Sequence, residues 1–204
     1  MGSTIFGPCG SGIGESEFNA LDIFINNARP ELPAFYSSPF DLTLEQWDMA
    51  MDSQAKAFLV RSREAVRLMP DGGRIIAVTY SPGGRIGSWQ PWVAMGAAKA
   101  AMESLVRYFA VSLAKRGITV NAISPGLTKD SVVNSLPQEA QDLVASWHRN
   151  AWTPASRMGN PADIGDAVAL ICVEGSGRIT GQVIHADGGA SLMDPVLPPE
   201  MQAG

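Results

Sequence analysis

The sequence predicts an α/β domain built on a mostly parallel sheet with helices on both faces. Three observations carry that expectation: short apolar runs recur, long stretches of helical periodicity separate them, and turn residues mark the junctions. The first run, Leu21-Asp22-Ile23-Phe24-Ile25, ends at Asn26-Asn27. From Thr43 to about Met69, apolar residues at Leu44, Trp47, Met51, Ala55, Phe58, Leu59 and Val66 keep close to a 3.6 period, and Thr43 with Gln46 forms a capping-box pattern. A second run, Arg74–Thr79, follows the turn Asp71-Gly72-Gly73. Pro91 to about Arg116 reads as a long helix, with proline suited to its first turn and Gly117 to its stop. The third run, Ile118–Ile123, precedes Ser124-Pro125-Gly126. A shorter helix is predicted over Gln138–His148, and another from the Asn160 cap and Pro161 to about Val173. The last run, Gln182–Ala186, ends at Asp187-Gly188-Gly189. Runs of this kind suit strands buried on both faces, joined by right-handed crossovers.

Composition sets limits on function. The chain has 204 residues, enough for one domain with a core, and 46% of them are apolar against 17% charged. That mixture excludes disorder, and no run approaches the ~18 uninterrupted apolar residues of a membrane span. A net charge of −5 weighs against nucleic acid, because phosphate binding needs a basic face. Met1-Gly2-Ser3-Thr4 lacks a basic region followed by an apolar one, and Cys9 and Cys172 stand in unrelated contexts. Both features predict a cytoplasmic protein without disulfides. His148 and His185 lack further ligands at metal spacing, so no metal site is predicted.

Several motifs line up in order: Asn26-Asn27-Ala28 after the first run, Lys99 on the long helix, Val120–Gly126, Arg157-Met158-Gly159, Ile179-Thr180-Gly181-Gln182 and Asp187-Gly188-Gly189. Together they resemble the short-chain dehydrogenase/reductase family over roughly residues 21 to 193. Trp92–Lys99 and Arg107-Tyr108-Phe109-Ala110 are most similar to its enoyl-acyl-carrier-protein reductase branch. The resemblance implies a doubly wound Rossmann-type fold, NADPH or NADH as hydride source, and reduction of an enoyl or 3-oxo group on an acyl thioester, acyl-carrier substrate or similar small molecule. It also implies a homo-oligomer, tetramer or dimer, built partly on the long helix. Two other readings stay open: a catalytically silent scaffold subunit pairing with a full-length homologue, and a cofactor-free lyase.

In that family a lysine binds the nicotinamide ribose and lowers the pKa of a tyrosine that protonates the developing oxyanion. The family's two tyrosine positions hold Trp92 and Met95 here, and neither carries an O–H. Tyr80, directly after the second run, is the substitute; it either polarises the substrate carbonyl or only packs a loop. The catalytic set is then Tyr80 and Lys99, with Thr79 or Ser81 supplying a further hydroxyl. The family's relay asparagine corresponds to Gln54. The resemblance implies cofactor contacts at Gly12, Ile13, Gly14, Asn27, Ala28, Lys99, Pro125, Gly126 and Thr128. Asn26-Asn27 could equally bond the loop and the neighbouring strand. Arg29 stands where the family has glycine, crowding the ribose or reaching a phosphate. Leu127–Trp152 reads either as a substrate lid or as a helical hairpin packed on the core. The tail 194–204 suits a surface position.

Residues 1–20 resemble a remnant of the family's first strand, Ser3–Phe6, and its glycine-rich turn, Gly10–Gly14. Only Glu15–Ala20 separate Gly14 from Leu21, whereas a βαβ crossover takes at least ~10–12 residues. The outer strands after the first are therefore expected to be lacking. Without the acidic or basic residue that reads the ribose, and with Glu15 and Glu17 near the diphosphate, dinucleotide binding is expected to be weak.

Overall fold

The computed structural model describes residues 20–31, 35–80, 87, 90–129, 133–194 and 196–202. The strand expected at Ser3–Phe6, the glycine-rich turn and Cys9 lie outside the described residues. Among those described, four parallel strands form one sheet in the order β1 (Ile23–Asn26), β2 (Arg74–Val78), β3 (Thr119–Pro125), β4 (Val183–Ala186). The register pairs Ile25 with Ile76, Ala77 with Ala122 and Ile123 with Ile184.

Alternation along the strands splits the apolar residues between two layers. Phe24, Ile75, Ala77, Val120 and Ala122 face one side. There they meet α2 (Ala57–Leu68) and the long α3 (Val93–Leu113) through Phe58, Met102, Val106 and Ala110. Ile25, Ile76, Ile123 and Ile184 face the other side, against Ile164, Val168 and Ile171 in and just beyond α5 (Pro161–Leu170). A third cluster joins Phe35, Ala50 of α1 (Leu44–Met51), and Ala94, Met95 and Ala98 of α3. Small residues at these α3 positions let the two helices approach closely. Helices thus cover both faces, as the sequence predicts.

The punctuation follows local chemistry. Thr43 Oγ1 accepts from the Gln46 amide, and the Gln46 side chain accepts from the Thr43 amide. Asn160 and Asp163 make the same reciprocal pair ahead of α5, with Pro161 in the first turn. Gly117 ends the long helix with φ of 66°, a left-handed conformation that favours glycine.

Some bounds differ from the expectation. The helix from Thr43 is divided: a wider π-type turn over Asp52–Lys56 separates α1 from α2 and buries Gln54. The long helix opens at Val93 rather than Pro91, because the Pro91 carbonyl accepts from the Ser37 amide. β3 runs on to Pro125, since its pairing with β4 continues through Ser124 and Pro125. α5 stops at Leu170, where the Ile171 and Cys172 amides bond three residues back and tighten the turn. α4 (Gln138–Trp147) has no fully buried residue and leads into a π-type turn over His148–Trp152. The expected hairpin packed on the core is therefore not formed by α4. A short α6 (Pro199–Gln202) lies in the tail.

Candidate active site

The carboxyl ends of a parallel sheet gather loops from separate elements, and ligands bind in the crevice above them. Here a cavity of about 890 Å³ opens at that edge. Asn27 follows β1, Thr79 and Tyr80 follow β2, and Gly126, Leu127 and Thr128 follow β3; all of them line it. Lys99 reaches it from α3, and Pro161, Ile164, Gly165 and Val168 present one face of α5. Its volume falls in the range of small-molecule and cofactor sites.

Tyr80 and Lys99 share the cavity, and both are buried, at 5% and 6% exposure. Ser124 Oγ donates to the Tyr80 carbonyl at 2.8 Å, fixing the end of β2. Lys99 Nζ donates to the Val78 carbonyl at 2.7 Å. Burial first, and then the positive charge of Arg29, lower its pKa to about 7, while Glu103 acts in the opposite direction. Thr79 lines the cavity, but its hydroxyl donates to the Glu103 carboxylate at 2.7 Å and so holds that acid. The two asparagines divide the alternatives left open in the sequence. Asn26 is buried, with its Nδ2 near Met102 Sδ, and Asn27 is exposed to the cavity. Pro125, Gly126 and Thr128 also line the cavity, and Thr128 Oγ1 donates to the Gly126 carbonyl. Ala28 is exposed and is not among the lining residues; its carbonyl accepts from Gln54 Nε2. Ser81, Gly12, Ile13 and Gly14 lie outside the described residues.

Sequence reasoning missed Ser124 and Glu103. Glu103 belongs to no motif, Ser124 sits inside the Val120–Gly126 motif without a role of its own, and each matters through a partner distant in the chain. Cys172 also lines the cavity, its thiol pKa raised by burial. Trp92 and Met95, at the expected tyrosine positions, line it as well. Trp92 is set by an edge-on contact with Phe35 at 5.1 Å between ring centroids.

The Gly126 turn depends on close approach. A Cβ there would lie 2.7 Å from the Asp187 Cα, where the Asp187-Gly188-Gly189 turn comes alongside. Gly126→Ala is expected to cost roughly 1–3 kcal/mol through overpacking against backbone that has no side-chain freedom to yield. Urea unfolding measures this directly; an unchanged midpoint would refute the close approach.

The chain matches a family model described as "Enoyl-(Acyl carrier protein) reductase" over residues 14–191. It belongs to the short-chain dehydrogenase/reductase family. Among characterised members, 1-cyclohexenylcarbonyl-CoA reductase of Streptomyces collinus is 34% identical over 183 residues, 86% of this chain and 60% of that protein. Enoyl-acyl-carrier-protein reductase (NADH) FabI of Aquifex aeolicus is 30% identical over 181 residues, covering 88% and 65%. The solved angucycline C-6 ketoreductase LanV with bound NADP superposes with a TM-score of 0.75 at 32% identity, covering 88% of this chain and 67% of that one. The chain thus spans 60% to 67% of the length of these members.

Among the described residues, those of the nicotinamide side fit a short-chain reductase. A buried amine, the backbone of the Gly126 turn and the Thr128 hydroxyl surround a cavity of adequate size. No described helix is long and apolar enough to cross a membrane.

Proposed function

We propose that the chain is an NAD(P)H-dependent oxidoreductase that reduces an enoyl or 3-oxo group of an acyl thioester or similar small molecule. One observation carries the reading: Tyr80 and Lys99 line a single cavity at the carboxyl edge of the sheet. The names of its relatives, which include an enoyl reductase and a ketoreductase, support the substrate class. A shared cavity favours catalysis over a silent scaffold, and the relatives' names favour reduction over a lyase reaction.

The bound nicotinamide supplies the hydride. Lys99 would hold the ribose hydroxyls of the cofactor, and its protonated form would favour ionisation of the Tyr80 phenol. Tyr80 donates its proton to the substrate oxygen as charge develops there. The Thr128 hydroxyl and the Gly126 backbone would hold the carboxamide and phosphate side of the cofactor, and Asn27 its ribose. Thr79 acts by holding Glu103 beside Lys99. The segment 127–152 serves as lid; Trp147 and Trp152 stand about half exposed, with ring centroids 5.8 Å apart, as an apolar surface for substrate. Tyr108 and Val111, highly exposed on α3, suit pairing with a second copy through that helix.

The test is NADPH and NADH oxidation with crotonyl and acetoacetyl thioesters, alongside calorimetric titration of each nucleotide. Turnover with either thioester and weak nucleotide binding are expected. Absence of both oxidation and binding would refute the reading, and low-micromolar affinity would refute the expectation of a weakened adenosine half.

A further inference from the structure

Lys99 differs from Lys56, Lys115 and Lys129, which are all exposed. It is buried, it borders a cavity large enough for an organic molecule, and among the described residues it forms no ion pair. Its one recorded hydrogen-bond partner is the neutral Val78 carbonyl. Arg29, whose positive charge acts on Lys99, lines the same cavity. The Glu103 carboxylate, one turn further along α3, takes up the Thr79 hydroxyl. A buried lysine on which a neighbouring cation acts more strongly than a nearby carboxylate is a setting that converts an ammonium into a nucleophilic amine.

We propose that Lys99 captures small apolar aldehydes in this cavity by forming an imine. The nitrogen lone pair attacks the carbonyl carbon, a C–N bond forms, and the carbonyl oxygen takes a proton to give a carbinolamine. The hydroxyl then leaves as water; both amine hydrogens end in that water, and a C=N bond remains. No oxidant or reductant takes part. Val78, Trp92, Met95 and Leu127 in the cavity wall favour an alkyl or aryl chain, and the lower steric demand of an aldehyde favours it over a ketone. The inference stands on the cavity and the amine, independently of hydride transfer: a chain without nucleotide-dependent turnover would still show it.

The experiment treats the full chain with butanal and sodium cyanoborohydride, which reduces any imine to a stable alkylamine, and locates the label by peptide mapping. At pH 7, labelling of Lys99 is expected to run on the order of tenfold faster than that of Lys56, Lys115 or Lys129, because burial brings its pKa down to about 7. The Lys99 rate should level off above about pH 7. Lys99→Met should remove the fast label; should that variant fail to fold, the map and pH profile of the unaltered chain decide. Uniform labelling of the four lysines, or an unlabelled Lys99, would overturn the proposal.

Discussion

Lys99→Met is expected to raise the thermal stability of the protein at neutral pH while abolishing its proposed turnover. The folded-state pKa of about 7 lies below the ordinary 10.5 of an unfolded chain. Between those values the unfolded state holds one more proton, so stability rises with pH across that window. Below pH 7 the whole penalty of a buried ammonium is in force, at most about 5 kcal/mol for such a shift. Against this, removing the amine leaves the Val78 carbonyl without its donor, a cost of ~1–3 kcal/mol. The net expectation is a gain of a few kcal/mol at pH 7 that disappears or reverses near pH 10. Tm of both proteins at the two pH values checks it. Equal destabilisation at both would show that Lys99 carries no burial penalty. A stabilising loss of a working residue is the familiar trade between activity and stability.

Tyr80→Phe is expected to lower kcat by ~10²–10⁴-fold, the range of a general acid, with little change in nucleotide affinity. The phenyl ring keeps the packing of a side chain that is 5% exposed, and the Ser124 bond to the Tyr80 carbonyl does not depend on the phenol. Steady-state kinetics with the better thioester give the comparison. Full turnover in Tyr80→Phe would make the residue a packing element and remove the acid from the mechanism, since Trp92 and Met95 have no hydroxyl to offer in its place.

Much of the scaffold was legible because its signals are local. Thr43 with Gln46, Asn160 with Pro161 and Gly117 each mark a helix end by chemistry confined to a few residues. The strand cores likewise stand out as apolar runs. The divided helix at Asp52–Lys56 was not legible, because a π-type turn barely disturbs apolar periodicity. The site was legible only as far as its motifs. Tyr80, Lys99 and the Gly126 turn come together because the ends of β2 and β3 meet α3. What tunes them does not show in any local pattern: Ser124 acts on Tyr80 across 44 positions, and Thr79 on Glu103 across 24. Arg29 read as a departure from a glycine pattern, and its effect on the distant Lys99 is visible only once the chain is folded.

Cys172, at the end of α5, gives the site a chemical reporter of its own. Burial keeps its sulfur protonated and slow to react, yet the residue forms part of the cavity wall. Because Cys172 lines the space that a ligand would fill, a bound ligand is expected to slow its alkylation. The rate at which a small iodoacetamide reaches that sulfur therefore measures occupancy, with no turnover required.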